Sequence, residues 1–354
     1  MVSSVLVFPS NMPQAQVFSR VAKSLGLLVV EATSEHVSQD LKEQGVVSLP
    51  YVTEENFDDE FSNLVGRFQI ELVYAPHLGV WRKLIKLSAN SDLCFKVCNG
   101  SPHQEDLRPY GFAYEWADSC LANVNICERS SEPLSISRYA GLYQGYSSIP
   151  GQSDDLKIWL LTQIFRCARQ GDVVEIGSAY GRSAFALAWL SSFHSIGPVI
   201  CVDPWNVISS ESQGKQATLI DQMVLDFNFQ KIFEAFIASV SGFKNVNYIK
   251  KPSGEAVIEY RAAGDSGYVI SKELGATKIT GSISILHIDG NHKYEEVRRD
   301  LEGWLPFVKP GGWILFDDYV WAFGDGPKRV GDEFIASQKA TASFVVGDTL
   351  CVRV

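Results

Sequence analysis

The stretch HIDGNHKYEEVRRDLEGWLPFVKPGGWILFDDY, residues 287–319, decides how this chain is read. Two apolar runs, ISILHID (283–289) and GWILFDD (312–318), each end in carboxylates. Between them EEVRRDLEGW has the apolar spacing of an amphipathic helix with a charged outer face. A strand, a helix and a strand in that order make a parallel βαβ unit. Neighbouring parallel strands deliver their ends to one sheet edge, so Asp289, Asp317, Asp318 and His292 are expected to meet there. Three carboxylates and an imidazole at one rim form a candidate site for a divalent cation with a base beside it.

Working outward, residues 153–354 repeat the pattern. A helix is expected near 154–169, with Leu156, Leu160, Ile164 and Phe165 on one face. Strands follow at VVEIG (173–177), PVICVD (198–203) and VNYIKK (246–251), with a helix near 181–192 and helical periodicity through 215–240. The ending ASFVVGDTLCVRV reads as a hairpin about a Gly-Asp turn. Residues 1–125 alternate short strands (VLVF, LLVVEA, IELVYA) with helices near 13–25, 54–67 and 78–88, the pattern of a Rossmann-like α/β domain. Their first turn, PSNMPQ, lacks the Gly-rich dinucleotide fingerprint. Acceptor recognition, dimerisation and nucleotide binding all remain open for that domain. Residues 126–152, rich in Ser, Gly and Tyr, read as a linker or a lid. The length of 354 residues fits two domains.

The net charge of −10 argues against nucleic acid as a partner. No apolar run approaches the ~18–20 residues of a membrane helix, and the first residues read as a strand, so a cytoplasmic protein is expected. The seven cysteines are odd in number and loosely spaced, which fits free thiols better than disulfides or a zinc site.

VVEIGSAYGRSAFALA carries the second motif. A buried strand runs into a turn containing Gly177 and Gly181, and these let the backbone approach a ligand closely. Glu175 ends that strand, and Asp203 ends the next, where a carboxylate can accept ribose hydroxyls. The plain alternatives are a loop cap for Asp203, a paired strand-end charge for Glu175, a helix N-cap or loop-ordering role for the Asp317–Asp318 pair, and a solvated loop residue for His292. His287, inside a strand, reads as a core or hydrogen-bonded histidine.

With EIGSAYGRS, VDPW and the 286–319 stretch in view, residues 151–354 resemble a class I S-adenosylmethionine-dependent methyltransferase. The branch resembled is methyltransferase family 24, which includes macrolide-sugar O-methyltransferases of the macrocin and mycinamicin type. The resemblance implies a seven-stranded Rossmann-like sheet beside a smaller N-terminal α/β domain. It implies S-adenosylmethionine as cofactor, against Glu175, Gly177, Ser178, Gly181 and Ser183 for the methionine part, Asp203 at the ribose, Ser253 at the adenine edge, and Asp289. It implies Mg²⁺ or Mn²⁺ on Asp289, Asp317 and Asp318, with His292 as general base. The sugar enzymes carry Glu-Asp where this chain has Asp317-Asp318, and the shorter side chain is expected to alter which oxygen reaches the metal. The implied reaction is metal-assisted methylation of a hydroxyl on a small sugar- or polyol-like acceptor, with room for a homo-oligomer. A metal-independent N- or C-methyltransferase and a non-catalytic binding or assembly protein are the competing readings.

Overall fold

The structure, a computed structural model, describes residues 4–90, 93–122, 130–206, 217–224 and 226–354. The chain divides into two compact units, Met1–Gly111 and Phe112–Val354.

In the first unit five parallel strands lie in the order Val47–Ser48, Leu28–Thr33, Ser4–Val7, Leu72–Tyr74, Lys96–Val97. Phe8, Phe57, Phe61, Val73 and Leu84 fill its core. The helix expected near 13–25 forms as Pro13–Ser24, with Pro13 in its first turn, where a missing N–H costs nothing. Its buried face is Ala15, Ser19 and Ala22, while Val17, Val21 and Leu25 are exposed.

The second unit is built on a seven-stranded sheet. Its order is Ala342–Val346, Thr349–Arg353, Val308–Phe316, Ile283–Ile288, Asp172–Ile176, Val199–Val202, Val246–Ile249. The last five run parallel, and Thr349–Arg353 pairs antiparallel with both Val308–Phe316 and Ala342–Val346. The expected seven-stranded sheet and terminal hairpin are therefore present. The central strands are apolar on both faces because helices cover both. Asp172, fully buried at the start of its strand, accepts hydrogen bonds from Tyr260 Oη, Thr280 Oγ1 and the amides of Thr280 and Gly281. Four donors compensate the desolvation of that carboxylate. Strand order reverses between the central strands Asp172–Ile176 and Ile283–Ile288, and in open α/β sheets such a switch point opens a crevice at the carboxyl ends.

Several expectations need correction. Helix Asp155–Cys167 forms, capped by the Asp154 side chain, but Leu156 of the expected apolar face is exposed. The helical stretch read through 215–240 is two helices, Thr218–Val224 and Phe229–Val240, with residues 215, 216 and 225 outside the described residues. Of the segment read as linker or lid, residues 126–129 lie outside the described residues. Ile136–Ser148 is a helix whose Tyr139, Leu142 and Tyr146 are buried in the core of the second unit. Gly145 explains the close packing: a Cβ there would fall 2.2 Å from the Phe185 ring. The two compact units divide at residue 111, within helix Pro102–Ser119. Among the cysteines, 94, 98, 120, 201 and 351 are free, whereas Cys167 is disulfide-bonded, against the expectation of free thiols throughout. Among the described residues no helix is long and apolar enough to cross a membrane.

Candidate active site

Side chains alternate faces along a strand, so residues two apart share one. Glu175 and His287 are register partners on adjacent parallel strands. Leu315 is His287's partner on the other side, and Cys351 is Leu315's. Two residues beyond these, at the carboxyl edge, come Asp289 and Asp317, with Thr349 two residues before Cys351 on the antiparallel strand. Helix Asp155–Cys167 packs on this face and sends Lys157 into it.

The result is a buried polar row. Glu175 accepts from Ser178 Oγ at 2.6 Å and bonds His287 Nδ1 at 3.1 Å. A carboxylate only accepts, so Nδ1 is the donor. His287 Nε2 then faces the rim, 3.8 Å from Asp317 Oδ2 and 4.0 Å from Asp289 Oδ2, and has no hydrogen-bond partner among the described residues. Lys157 Nζ pairs with Asp317 Oδ1 and lies 3.1 Å from Thr349 Oγ1, which donates to the same Oδ1 at 2.7 Å.

His292 sits one step outward. Its Nε2 is 2.8 Å from Asp318 Oδ2 and 4.0 Å from Asp289 Oδ1, and its ring lies 4.7 Å from that of Trp321. Asp289, at the seam, faces both histidines.

Proton affinities follow from this crowding. Burial, then the Asp317 charge, raise Asp289 to about 7. Burial would raise Asp317 as well, but Lys157 and then His287 hold it well below the usual carboxylate range. Burial opposes the charge on Lys157, yet Asp317 and Asp289 keep it protonated. Burial also opposes protonation of both histidines. For His287 the carboxylates of Asp317, Glu175 and Asp289 outweigh burial and the Lys157 charge; for His292 those of Asp289 and Asp318 outweigh burial. Each histidine is lifted to about 9.

A divalent cation suits these residues. His287, Asp289 and Asp317 form one possible ligand group, and Asp289, His292 and Asp318 another, with the offered atoms in each within 4.8 Å of one another. Ligands of an octahedral ion at ~2.1 Å lie ~3 Å apart when adjacent and ~4.2 Å when opposite. His287 Nε2, buried without a hydrogen bond and facing two carboxylates, is a candidate ligand in the first group once it gives up its proton.

The glycine turn lies against the same rim. Gly177 has φ +87°, and a Cβ there would stand 1.9 Å from the Asp289 carbonyl oxygen, so only glycine brings the two backbones together. Gly181 and Ala179 also have positive φ, winding residues 177–181 into a tight loop at the strand's carboxyl end. Ser183 is buried in the first turn of the following helix.

Three of the expected cofactor residues have partners within the protein. Glu175 is fully buried and bonded to Ser178 and His287, so it orients those two groups and does not face the outside of the loop. Asp203 accepts from the amides of Ser178, Ala179 and Trp205, a loop-tying role that leaves little free acceptor capacity for a ribose. Ser253 Oγ accepts from Trp304 Nε1, which joins the helix Ser253–Ser266 to Tyr294–Trp304. Lys157 and Thr349 were not foreseen. The available signal was Lys157 in the apolar stripe of Leu160, Leu161 and Ile164, at spacings of three, four and seven.

A sheet of this order, with the hairpin strand inserted antiparallel and acidic residues at the carboxyl edge, is that of the class I methyltransferases. Residues 174–319 match the family described as a methyltransferase domain. The match covers about two fifths of the chain, and through this segment the chain is similar to that family. Two uncharacterised proteins share short segments with it. Protein y4gI of Sinorhizobium fredii is 43% identical over 37 residues, 10% of this chain and 4% of its own length. Protein R132 of Acanthamoeba polyphaga mimivirus is 44% identical over 41 residues, 12% of this chain and 19% of its own length. The match thus spans less than a fifth of either relative. Among solved structures, the O-methyltransferase NovP is 17% identical, with a TM-score of 0.40 over 55% of this chain and 78% of that one.

Proposed function

We propose that this protein transfers the methyl group of S-adenosylmethionine to a hydroxyl of a small sugar- or polyol-like acceptor, with a divalent metal at the rim. The observation that carries this reading is the junction at Asp289. Its backbone touches the Gly177 turn, where the methyl donor of this family would lie, and its carboxylate stands between His287 and His292.

S-adenosylmethionine supplies the methyl on a sulfonium, which needs no activation. The acceptor does, because an alcohol with a pKa far above 7 is a poor nucleophile. Asp289, Asp317 and Asp318 would hold a divalent ion, which would supply the charge that lowers that pKa. His292, held by Asp318 and with its ring tilted against Trp321, accepts the proton as the oxygen attacks. Asp289 and Asp318 hold the His292 ring, and a cation shared with these carboxylates would lower the proton affinity of its Nε2. A rim with several carboxylate oxygens favours an acceptor with neighbouring hydroxyls, both within reach of one ion. Metal, base and methyl donor meet at one edge, so the acceptor's place is beside Trp321.

Isothermal titration tests the donor: S-adenosylmethionine is expected to bind, and silence at millimolar ligand overturns the reading. Labelled-methyl transfer into a panel of vicinal diols tests the chemistry. EDTA should abolish transfer, and Asp289→Ala should not be rescued by added metal. Full transfer in EDTA would move the protein to the metal-independent N- or C-methylating branch. His292→Ala should slow transfer ~10²-fold or more while leaving donor affinity nearly unchanged.

A further inference from the structure

We propose that His287 is itself a metal ligand: with Asp289 and Asp317 it forms an inner seat that selects a borderline first-row ion, Mn²⁺ through Zn²⁺, over Mg²⁺. This deepens the metal reading above and rests on it.

Four features point to the inner seat. The His287 side chain is fully buried, and its Nε2 has no partner among the described residues. Its neighbours, Asp317 Oδ2 at 3.8 Å and Asp289 Oδ2 at 4.0 Å, are too far for hydrogen bonds. Both separations fall between the ~3 Å of adjacent and the ~4.2 Å of opposite ligands on one octahedral ion. Glu175 holds Nδ1, which fixes the ring's orientation and turns Nε2 to the rim. A carboxylate behind a metal-binding imidazole is the usual supporting partner of such a ligand, and it raises the basicity of the coordinating nitrogen.

Lys157 completes the arrangement. Its ammonium and the Thr349 hydroxyl occupy Oδ1 of Asp317, which leaves Oδ2 as the oxygen directed at His287. Asp317 thereby bridges a permanent organic cation and the seat. The same pairing offsets part of the rim's negative charge, so an ion is held by geometry and ligand type more than by total charge. A nitrogen donor then sets the preference, because imidazole suits Mn²⁺, Co²⁺ and Zn²⁺ better than it suits Mg²⁺, which keeps oxygen and water. Asp318, on the outer side, also orients His292.

The test is pulsed EPR on the full chain loaded with Mn²⁺. The wild type is expected to show nitrogen-14 coupling from one imidazole. Coupling should persist in His292→Gln and vanish in His287→Gln. Coupling that survives His287→Gln, or its absence from Mn²⁺-bound wild type, overturns the inner seat while leaving the metal reading intact. No Mn²⁺ or Mg²⁺ binding at all overturns both. Should His287→Gln fail to fold, calorimetry on the wild type decides. Mn²⁺ is expected to bind at least ~10-fold more tightly than Mg²⁺, and equal affinities overturn the proposal.

Discussion

Gly177 is where one residue controls two parts of the site. Its φ of +87° is strained for any L side chain, and a Cβ would press on the Asp289 carbonyl oxygen at 1.9 Å. Gly177→Ala therefore combines a left-handed penalty of ~1–2 kcal/mol with an overpacking penalty of ~1–3 kcal/mol. A loss of about 3 kcal/mol in urea unfolding is expected, together with loss of S-adenosylmethionine binding as the 177–181 turn and Asp289 move apart. A variant with unchanged midpoint and unchanged donor affinity would refute this account of the junction. The glycine itself was legible in EIGSAYGRS, because a glycine after a buried strand marks a close approach. Its partner was not, since the contact is with a backbone atom more than a hundred positions away. The same holds for Glu175: its type and place at a strand end were readable, but its engagement with His287 depends on strand order.

At the scale of elements, continuous apolar runs identified the buried strands well, because strands covered on both faces need no alternation. The helix Ile136–Ser148 was hidden because ISRYAGLYQGYSS has the glycine and serine content of a loop. Its Gly145 serves close packing against Phe185 in the helix Arg182–His194. That second helix carries a pH dependence at its last residue, His194. Burial, then the charge of Arg166, lower its pKa from 6.5 to about 4, overriding the helix terminus, which would favour the charged form. The unfolded chain takes up the proton near pH 6.5, whereas the folded chain resists until about pH 4. Stability is therefore lost as pH falls from about 6.5 towards 4, with no contribution from this group above that window. Urea unfolding at pH 7.5, 5.5 and 4.5 should show the wild type losing more stability than His194→Gln across the window. Parallel losses in the two proteins would assign the acid sensitivity to other groups.

At the scale of the molecule, the question is where an independently stable catalytic unit begins. The pattern of strands and helices alone puts the start near 153, because the methyltransferase motifs and the helix before them lie beyond it. The core puts it earlier. Ala113, Ala117, Cys120, Leu134, Tyr139, Leu142 and Tyr146 are buried in one cluster with Leu160, Ile164, Phe165 and Leu187. Burying a large apolar side chain contributes ~1.5–3 kcal/mol. Losing Leu134, Tyr139, Leu142 and Tyr146 alone would remove on the order of 6–12 kcal/mol, comparable to the ~5–15 kcal/mol that stabilises a typical domain. A fragment of residues 153–354 is thus expected to be unfolded or aggregated. A fragment of residues 102–354, which keeps the helix Pro102–Ser119 whole, should melt cooperatively and bind S-adenosylmethionine with the affinity of the full chain. Circular dichroism melts and calorimetry on the two fragments separate these outcomes. A cooperative melt from 153–354 would mean that the two preceding helices cover the methyltransferase core without being needed to hold it together.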